Sequence, residues 1–192
     1  MIGMRGKRLS TMALGVVLLL VGLRPAAAQT RTVLAIADFA DEGADGRLIQ
    51  ASRLSRYLQE KLQAGAGDRL QLVAGDEVRA AMRTQGVAPL DLLSRSRAAT
   101  LATAIGASRI VIGTWRTLSV SAAPDDPGST PRGSEHMATA IFEMWLIDGA
   151  SGGVTLQATF VGRASGLPIR LALLQAAREA LNQAVKAIAE IQ

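Results

Sequence analysis

The sequence is 192 residues long, with 49% hydrophobic and 19% charged residues, which fits one globular domain and excludes an extensively disordered chain. It contains no cysteine, so disulfides, thiolate metal sites, a cysteine nucleophile and lipid attachment at a cysteine are excluded. The formal net charge is +5 at pH 7, an excess that comes from the amino-terminal residues.

Residues 1–28 have the pattern of a secretory signal peptide. Basic residues from Arg5 to Arg8 precede an apolar run, Met12 to Leu23, and Pro25-Ala26-Ala27-Ala28 supplies an Ala-x-Ala cleavage site. The run has 12 residues, fewer than the roughly 20 that a membrane-spanning helix needs. We therefore expect cleavage before Gln29, with a retained anchor as the alternative. The protein is then expected to be periplasmic, without stable membrane insertion.

The predicted signal peptide, or leader, accounts for most of the positive net charge. It holds four basic residues and no acidic one, so the chain that follows has a net charge of about +1 rather than the +5 of the whole sequence. Nucleic-acid binding depends on a basic face that neutralises phosphates. We therefore expect no nucleic-acid partner.

Hydrophobic spacing predicts alternating strands and helices in the first half of residues 29–192. Asp76 is predicted to cap a short helix by accepting from free amide groups of its first turn. In chain order we predict a strand at Val33–Phe39 (VLAIADF), an amphipathic helix at Arg47–Ala64, a strand at Leu70–Val73, a short helix from Asp76 to Arg83 and a helix from Asp91 to Ile105.

The stretch Leu101–Trp115 (LATAIGASRIVIGTW) predicts a helix, a tight turn and a buried strand. Gly106 suits the left-handed residue that closes a helix. The run Ile110–Ile112 is apolar without alternation, which is typical of a strand covered on both faces. Beyond it, Leu118 and Val120 alternate with serines, so one face of the strand is predicted to be solvated.

The second half predicts an antiparallel meander and a closing helix. The segment 122–134 is rich in proline and lacks large apolar side chains, so we expect an exposed loop. Strands are predicted at Met137–Asp148 and Val154–Arg163, joined by a short glycine-rich hairpin, and a helix at Pro168–Ile191. The order β-α-β-α-α-β-β-β-α predicts a single α/β domain with a mixed sheet of about five strands flanked by helices.

Three parts of this layout resemble a known group of proteins: the VLAIADF strand, the LATAIGASRIVIGTW turn, and the hairpin Leu146–Gly152 (LIDGASG) followed by a long helix. The arrangement resembles the bacterial envelope superfamily that includes the curli secretion proteins, the lipoprotein activators of penicillin-binding proteins and the amino-terminal domain of the Tol-system translocation protein. It covers roughly Val33 to Ile191.

The resemblance implies a non-enzymatic module that assembles with other envelope proteins. The chain departs from the pattern in lacking a lipidation cysteine, and it leaves no room for the additional membrane-inserting hairpins of the secretion channel. A pore subunit is therefore not expected. The chain looks closer to the small secreted members of the superfamily.

No catalytic constellation is recognisable. The single histidine, His136, is expected to be an exposed loop residue, because a triad needs three groups that converge from different segments. The carboxylates Asp38, Asp41, Glu42 and Asp45 follow the first strand, where α/β sheets often bind ligands. Their spacing matches no calcium loop, so a solvated loop is the main interpretation and an ion site the alternative.

The sequence therefore predicts a periplasmic binding or assembly protein that is not an enzyme and needs no cofactor. Its expected partners are other envelope proteins or a second copy of itself, and the alternative is a sensor of a small ligand or metal. The residues proposed for an interaction surface are Trp115, Arg116, Asp125, Asp126, Arg132, His136, Arg178 and Lys186. For Trp115 and Trp145, core packing and partner binding are both open from the sequence, since aromatic side chains favour both.

Overall fold

A computed structural model describes residues 31–42, 50–65, 69–122, 136–166 and 168–191. The predicted signal peptide and most of the predicted exposed loop lie outside these ranges. The strands are β1 (Thr32–Ile36), β2 (Ala40–Asp41), β3 (Leu70–Leu72), β4 (Arg109–Ala122), β5 (His136–Asp148) and β6 (Val154–Ser165). The α-helices are α1 (Ala51–Gly65), α2 (Gly75–Gln85), α3 (Arg95–Ala104) and α4 (Ile169–Ala189), with a 3₁₀ helix at Pro89–Leu93.

The strands form one mixed sheet in the order β3-β1-β4-β5-β6, and the short β2 pairs with β4. β1 is parallel to both β3 and β4, whereas β4, β5 and β6 form an antiparallel meander. The predicted α/β fold and mixed sheet are confirmed. β4 joins the parallel half of the sheet to the antiparallel half.

Helices cover the two faces of the sheet unequally. On the front face, α1 and α4 pack on a large cluster that includes Leu34, Val111 and Phe142. On the back face, α2, α3 and the 3₁₀ helix pack on a smaller cluster around Ile110 and Ile147. The back cluster reaches only one end of the long strands, so it does not cover the back face at their other end.

Two of the three segments that carry the resemblance, the LATAIGASRIVIGTW turn and the LIDGASG hairpin, are in direct contact. Gly106 has a φ of 66°, as predicted for the residue that closes α3. Two residues later, the carbonyl of Ser108 accepts the N–H of Gly149 at 2.8 Å. The hydroxyl of Thr103 donates to the carbonyl of Gly149 at 3.0 Å. The β5–β6 turn is therefore fixed on the α3–β4 turn.

Two details of the predicted helices were wrong. The helix predicted from Asp91 to Ile105 is interrupted at Ser94, which separates the 3₁₀ helix from α3. The Asp91 carboxylate accepts the N–H of Ala88 at 2.9 Å and holds Arg97 at 2.6 Å, so it stabilises the 3₁₀ turn. Asp76 accepts a free amide of the first turn as predicted, the N–H of Glu77 at 3.1 Å, but the N-cap residue is Ala74 and not Asp76.

Candidate interaction surfaces

The structure places Trp115 in the front core, with 0% of its surface exposed. Its ring centroid lies 4.7 Å from that of Phe142, which in turn lies 4.6 Å from that of Phe39. A side chain that is fully enclosed cannot contact a partner. Including Trp115 in the predicted interaction surface was therefore wrong, and core packing is its role.

A β-bulge directly after Trp115 sets which way the rest of β4 faces. The pairing of β4 with β5 shifts between Trp115 and Thr117, so Arg116 is an extra residue opposite the partner strand. The shift lets Trp115 and Leu118 both face the front core. Strict alternation would have placed these two side chains on opposite faces.

Arg116 projects from this bulge and joins two segments of the chain. Its Nε donates to Glu143 Oε2 on β5 at 2.8 Å, and its guanidinium also pairs with Glu42, which follows β2. The hydrogen bond to Glu143 and the charge of Glu42 raise the pKa of Arg116 above its ordinary value. Because Arg116 is exposed but already paired, it fixes local structure and can offer only part of its guanidinium to a partner.

Beyond this bulge, the back-facing side chains of the meander form a surface that belongs to neither core cluster. We call it the open sheet face. Opposite the front core, Thr139 and Ile141 of β5 alternate with buried residues, and Thr159, Val161 and Arg163 do so on β6. The members are Thr117, Ser119, Ser121, Thr139, Ile141, Thr159, Val161 and Arg163.

The centre of the open sheet face is apolar. Ile141 and Val161 are direct cross-strand partners, and Val161 is 39% exposed. Threonine and serine side chains surround the pair on all three strands. From the sequence, a solvated face is predicted only on β4, and the Ile141–Val161 pair is not predicted. The alternation within Val154–Arg163 nevertheless places Val161 opposite the buried side.

Side chains of α4 engage two backbone groups at the outer edge of the sheet, on β6. Glu179 Oε2 accepts the backbone N–H of Arg163 at 2.8 Å, and Gln183 Nε2 donates to the carbonyl of Val161 at 3.0 Å. At the other edge, β3 lies beside a groove of about 460 Å³ between α1 and the strand. Its lining residues are Gln59, Gln63, Leu70, Gln71, Leu72, Ala74 and Gly75.

Arg178 and Lys186 lie on the exposed side of α4, on the front of the molecule. Arg178 packs over the ring of Tyr57 in α1, with its Cζ 5.3 Å from the ring centroid. These two predicted residues are thus on the opposite side of the sheet from the open sheet face. His136 begins β5, half-buried rather than in a loop. Asp125, Asp126 and Arg132 lie outside the described residues.

The acidic segment after β1 is held by neighbouring groups. Asp38 Oδ1 accepts the hydroxyl of Ser55 at 2.9 Å, and Arg79 Nη1 lies 3.7 Å away. Glu42 pairs with Arg116. Asp45 lies outside the described residues. Across the described ranges, no group of three or more acidic, histidine or cysteine side chains is arranged to hold a metal ion.

Asp148 organises the β5–β6 turn. Its Oδ1 accepts the N–H of Ser151 at 2.8 Å, the hydroxyl of Ser151 at 2.8 Å and the N–H of Ala150 at 3.1 Å. These hydrogen bonds favour the charged form, so the pKa of Asp148 is lowered. The residue has a structural role at the turn that rests on α3.

No protein-family model and no curated protein matches the sequence. Solved structures do match the fold. Lipoprotein GNA1162 from Neisseria meningitidis is 13% identical with a TM-score of 0.56, over 83% of this chain and 96% of that one. The hypothetical protein CT253 from Chlamydia trachomatis is 14% identical with a TM-score of 0.50, over 83% and 99%. The C-terminal domain of LpoB from Escherichia coli is 15% identical with a TM-score of 0.45, over 68% and 81%.

The chain shares the fold of the first two proteins. This confirms the predicted fold. Within the described ranges, no helix is both long and apolar enough to cross a membrane.

Proposed function

We propose that this protein is a non-enzymatic periplasmic module that assembles with other cell-envelope proteins through its open sheet face. The observation that carries the proposal is the apolar Ile141–Val161 pair, which joins β5 and β6 outside both core clusters, with Val161 39% exposed and Ile141 half-buried. An apolar centre with a polar rim is the usual anatomy of a protein interface. Threonine and serine side chains form such a rim here.

The size of the face indicates how a partner would extend over it. Three strands spaced by about 4.8 Å, over about six residues each, give a surface of roughly 14 by 20 Å. This is smaller than the roughly 800 Å² that each partner contributes to a standard interface. The contact must therefore include neighbouring residues, and β4 and β5 lead directly into residues 123–135, which carry the predicted contact residues Asp125, Asp126 and Arg132.

Two sequence features and one structural observation support the periplasmic and non-enzymatic parts of the proposal. Residues 1–28 have the pattern of a secretory signal. The absence of cysteine excludes a thiol nucleophile. Where the structure describes the acidic segment after β1, Asp38 and Glu42 are engaged by Arg79, Ser55 and Arg116 rather than arranged around a ligand.

The proposal predicts that a charge at the centre of the face abolishes assembly. The protein is purified from the envelope fraction, and its complexes are measured by analytical ultracentrifugation with and without added envelope extract. Val161→Lys is expected to eliminate these complexes. Thr155→Lys is the matched control, because Thr155 is exposed on the same strand but lies outside the open sheet face. Complexes that survive Val161→Lys unchanged would contradict the proposal.

A further inference from the structure

Two cations from different helices contact one tyrosine on the front of the molecule. Lys61 Nζ lies 5.5 Å from the ring centroid of Tyr57, and Arg178 Cζ lies 5.3 Å from it. The tyrosine hydroxyl donates to Asn182 Oδ1 on α4 at 3.1 Å. The ring is therefore fixed between α1 and α4, and it holds two like charges at the seam between the helices.

These residues belong to a longer cationic strip, which we define as Arg53, Lys61, Arg178 and Lys186. All four side chains are exposed, and none forms an ion pair with a described carboxylate. Cations brought together without counter-charges repel each other, and an external anion relieves that repulsion. The strip is thus electrostatically incomplete within the described chain.

Basic residues outnumber acidic residues in α1 and α4. Along α1 and α4 there are six basic residues and two acidic ones. One of the acidic residues, Glu179, is engaged by the backbone N–H of Arg163 at the edge of β6. Because the chain beyond the leader is close to neutral, this surplus is a local feature of the front surface and not a consequence of overall charge.

An exposed leucine continues the strip. Leu171 is 53% exposed and lies seven residues before Arg178, so the two side chains project from the same side of α4. From Leu171 to Lys186 the strip spans about 22 Å at 1.5 Å per residue. A surface that combines lysine, arginine, an exposed leucine and a partly buried tyrosine is typical of proteins that rest on a lipid headgroup layer.

α1 and α4 lie side by side and place the residues of the cationic strip on one surface. β6 is parallel to β1, since two antiparallel steps separate it from β4, and each helix returns along the same face of the sheet. α1 and α4 therefore run side by side in the same direction. We infer that the cationic strip docks the protein peripherally on an anionic lipid surface, with Leu171 entering the headgroup region.

The inference does not depend on the proposed assembly function, because it uses the other side of the molecule. α1 and α4 cover the front of the sheet, whereas the open sheet face is at its back. A protein docked by the strip would turn the Ile141–Val161 pair away from the bilayer and toward a partner. Either surface can fail its test without affecting the other.

Vesicle partitioning tests the inference. The full chain is expressed, the protein is purified from the envelope fraction, and its amino terminus is determined by mass spectrometry. Binding is measured by co-sedimentation with vesicles of phosphatidylcholine alone and of phosphatidylcholine mixed with phosphatidylglycerol. We expect binding to the mixed vesicles only, weakening as salt is added.

The double variant Lys61→Gln/Arg178→Gln is expected to bind the mixed vesicles about 20–30-fold more weakly, since each cation near an anionic surface contributes about fivefold. Arg83→Gln/Arg95→Gln removes the same charge from the exposed sides of α2 and α3 and should bind as the wild type does. Circular dichroism checks that all forms are folded.

Three results would overturn the inference. They are equal binding to both kinds of vesicle, no binding to the mixed vesicles, and an equal loss in the control pair. Retention on immobilised polyglutamate without binding to vesicles would instead assign the strip to an acidic protein.

Discussion

Gly162 of β6 lies against the backbone of Ala176 in α4, so closely that a Cβ at position 162 would be 1.8 Å from the Ala176 carbonyl oxygen. The partner atom belongs to a helix backbone and cannot rotate away. α4 is able to cross the sheet here because its buried side is rich in alanine, including Ala172, Ala176 and Ala180. The glycine therefore sets the distance between the front helix and the meander.

Gly162→Ala is predicted to reduce the free energy of unfolding by about 2–3 kcal/mol, because α4 must move outward and loosen its packing. Urea denaturation followed by circular dichroism measures this. Gly65→Ala is the control, since no atom lies within 4 Å of a Cβ there, and it should be neutral or stabilising by up to about 1 kcal/mol. Similar losses in both variants would contradict the account of the crossing.

The contacts of α4 with the edge of β6 give a second prediction. Replacing Glu179 and Gln183 together by alanine frees the N–H of Arg163 and the carbonyl of Val161. Unpaired edge groups template the addition of further strands, so the double variant should self-associate with rising concentration. Light scattering measures this, with Glu60→Ala as the control from the exposed side of α1. A double variant that stays as dispersed as the control would show that these contacts do not protect the edge.

Asp148 predicts a dependence on pH. Its pKa is lower in the folded protein than in the unfolded chain, so its contribution to stability is fully present above the ordinary aspartate pKa of about 3.9 and is lost as the pH falls through the lower folded value. Asp148→Asn removes the charge but keeps an acceptor. The variant should be less stable at neutral pH, and the difference from the wild type should vanish in acid. A difference that persists unchanged in acid, measured by urea denaturation, would be inconsistent with this role.

The sequence was sufficient to predict most of the elements and the mixed sheet, because the hydrophobic period and the positions of glycines are local properties. Gly106 at φ 66° and the alternation within β5 follow directly from them. The alternation from Val111 places Trp115 inward. That Leu118 shares its face was not predictable, because the bulge residue Arg116 pairs with Glu42 and Glu143, which are distant in sequence. Pairings between distant segments decide which side of the sheet a side chain faces, and the hydrophobic pattern of a single strand does not reveal them.

The candidate surfaces were predictable only in part. Arg178 and Lys186 were identified as exposed helix residues, but their relation to Tyr57 and Lys61 requires α1 and α4 to be neighbours. The open sheet face depends on where the back helices end, and no pattern within β5 or β6 reports that. Side-chain period predicts which residues share a face, and packing decides whether that face is covered.

Site-specific photocrosslinking in the intact envelope tests the proposed assembly function most directly. A photoreactive phenylalanine replaces Val161 at the centre of the open sheet face, and in a separate control it replaces Arg83 on the exposed side of α2. The account predicts a discrete crosslinked species from position 161, at the mass of an envelope partner or of a second copy, and none of that mass from position 83. Illumination that yields no crosslink at 161, or the same products from both positions, would contradict it.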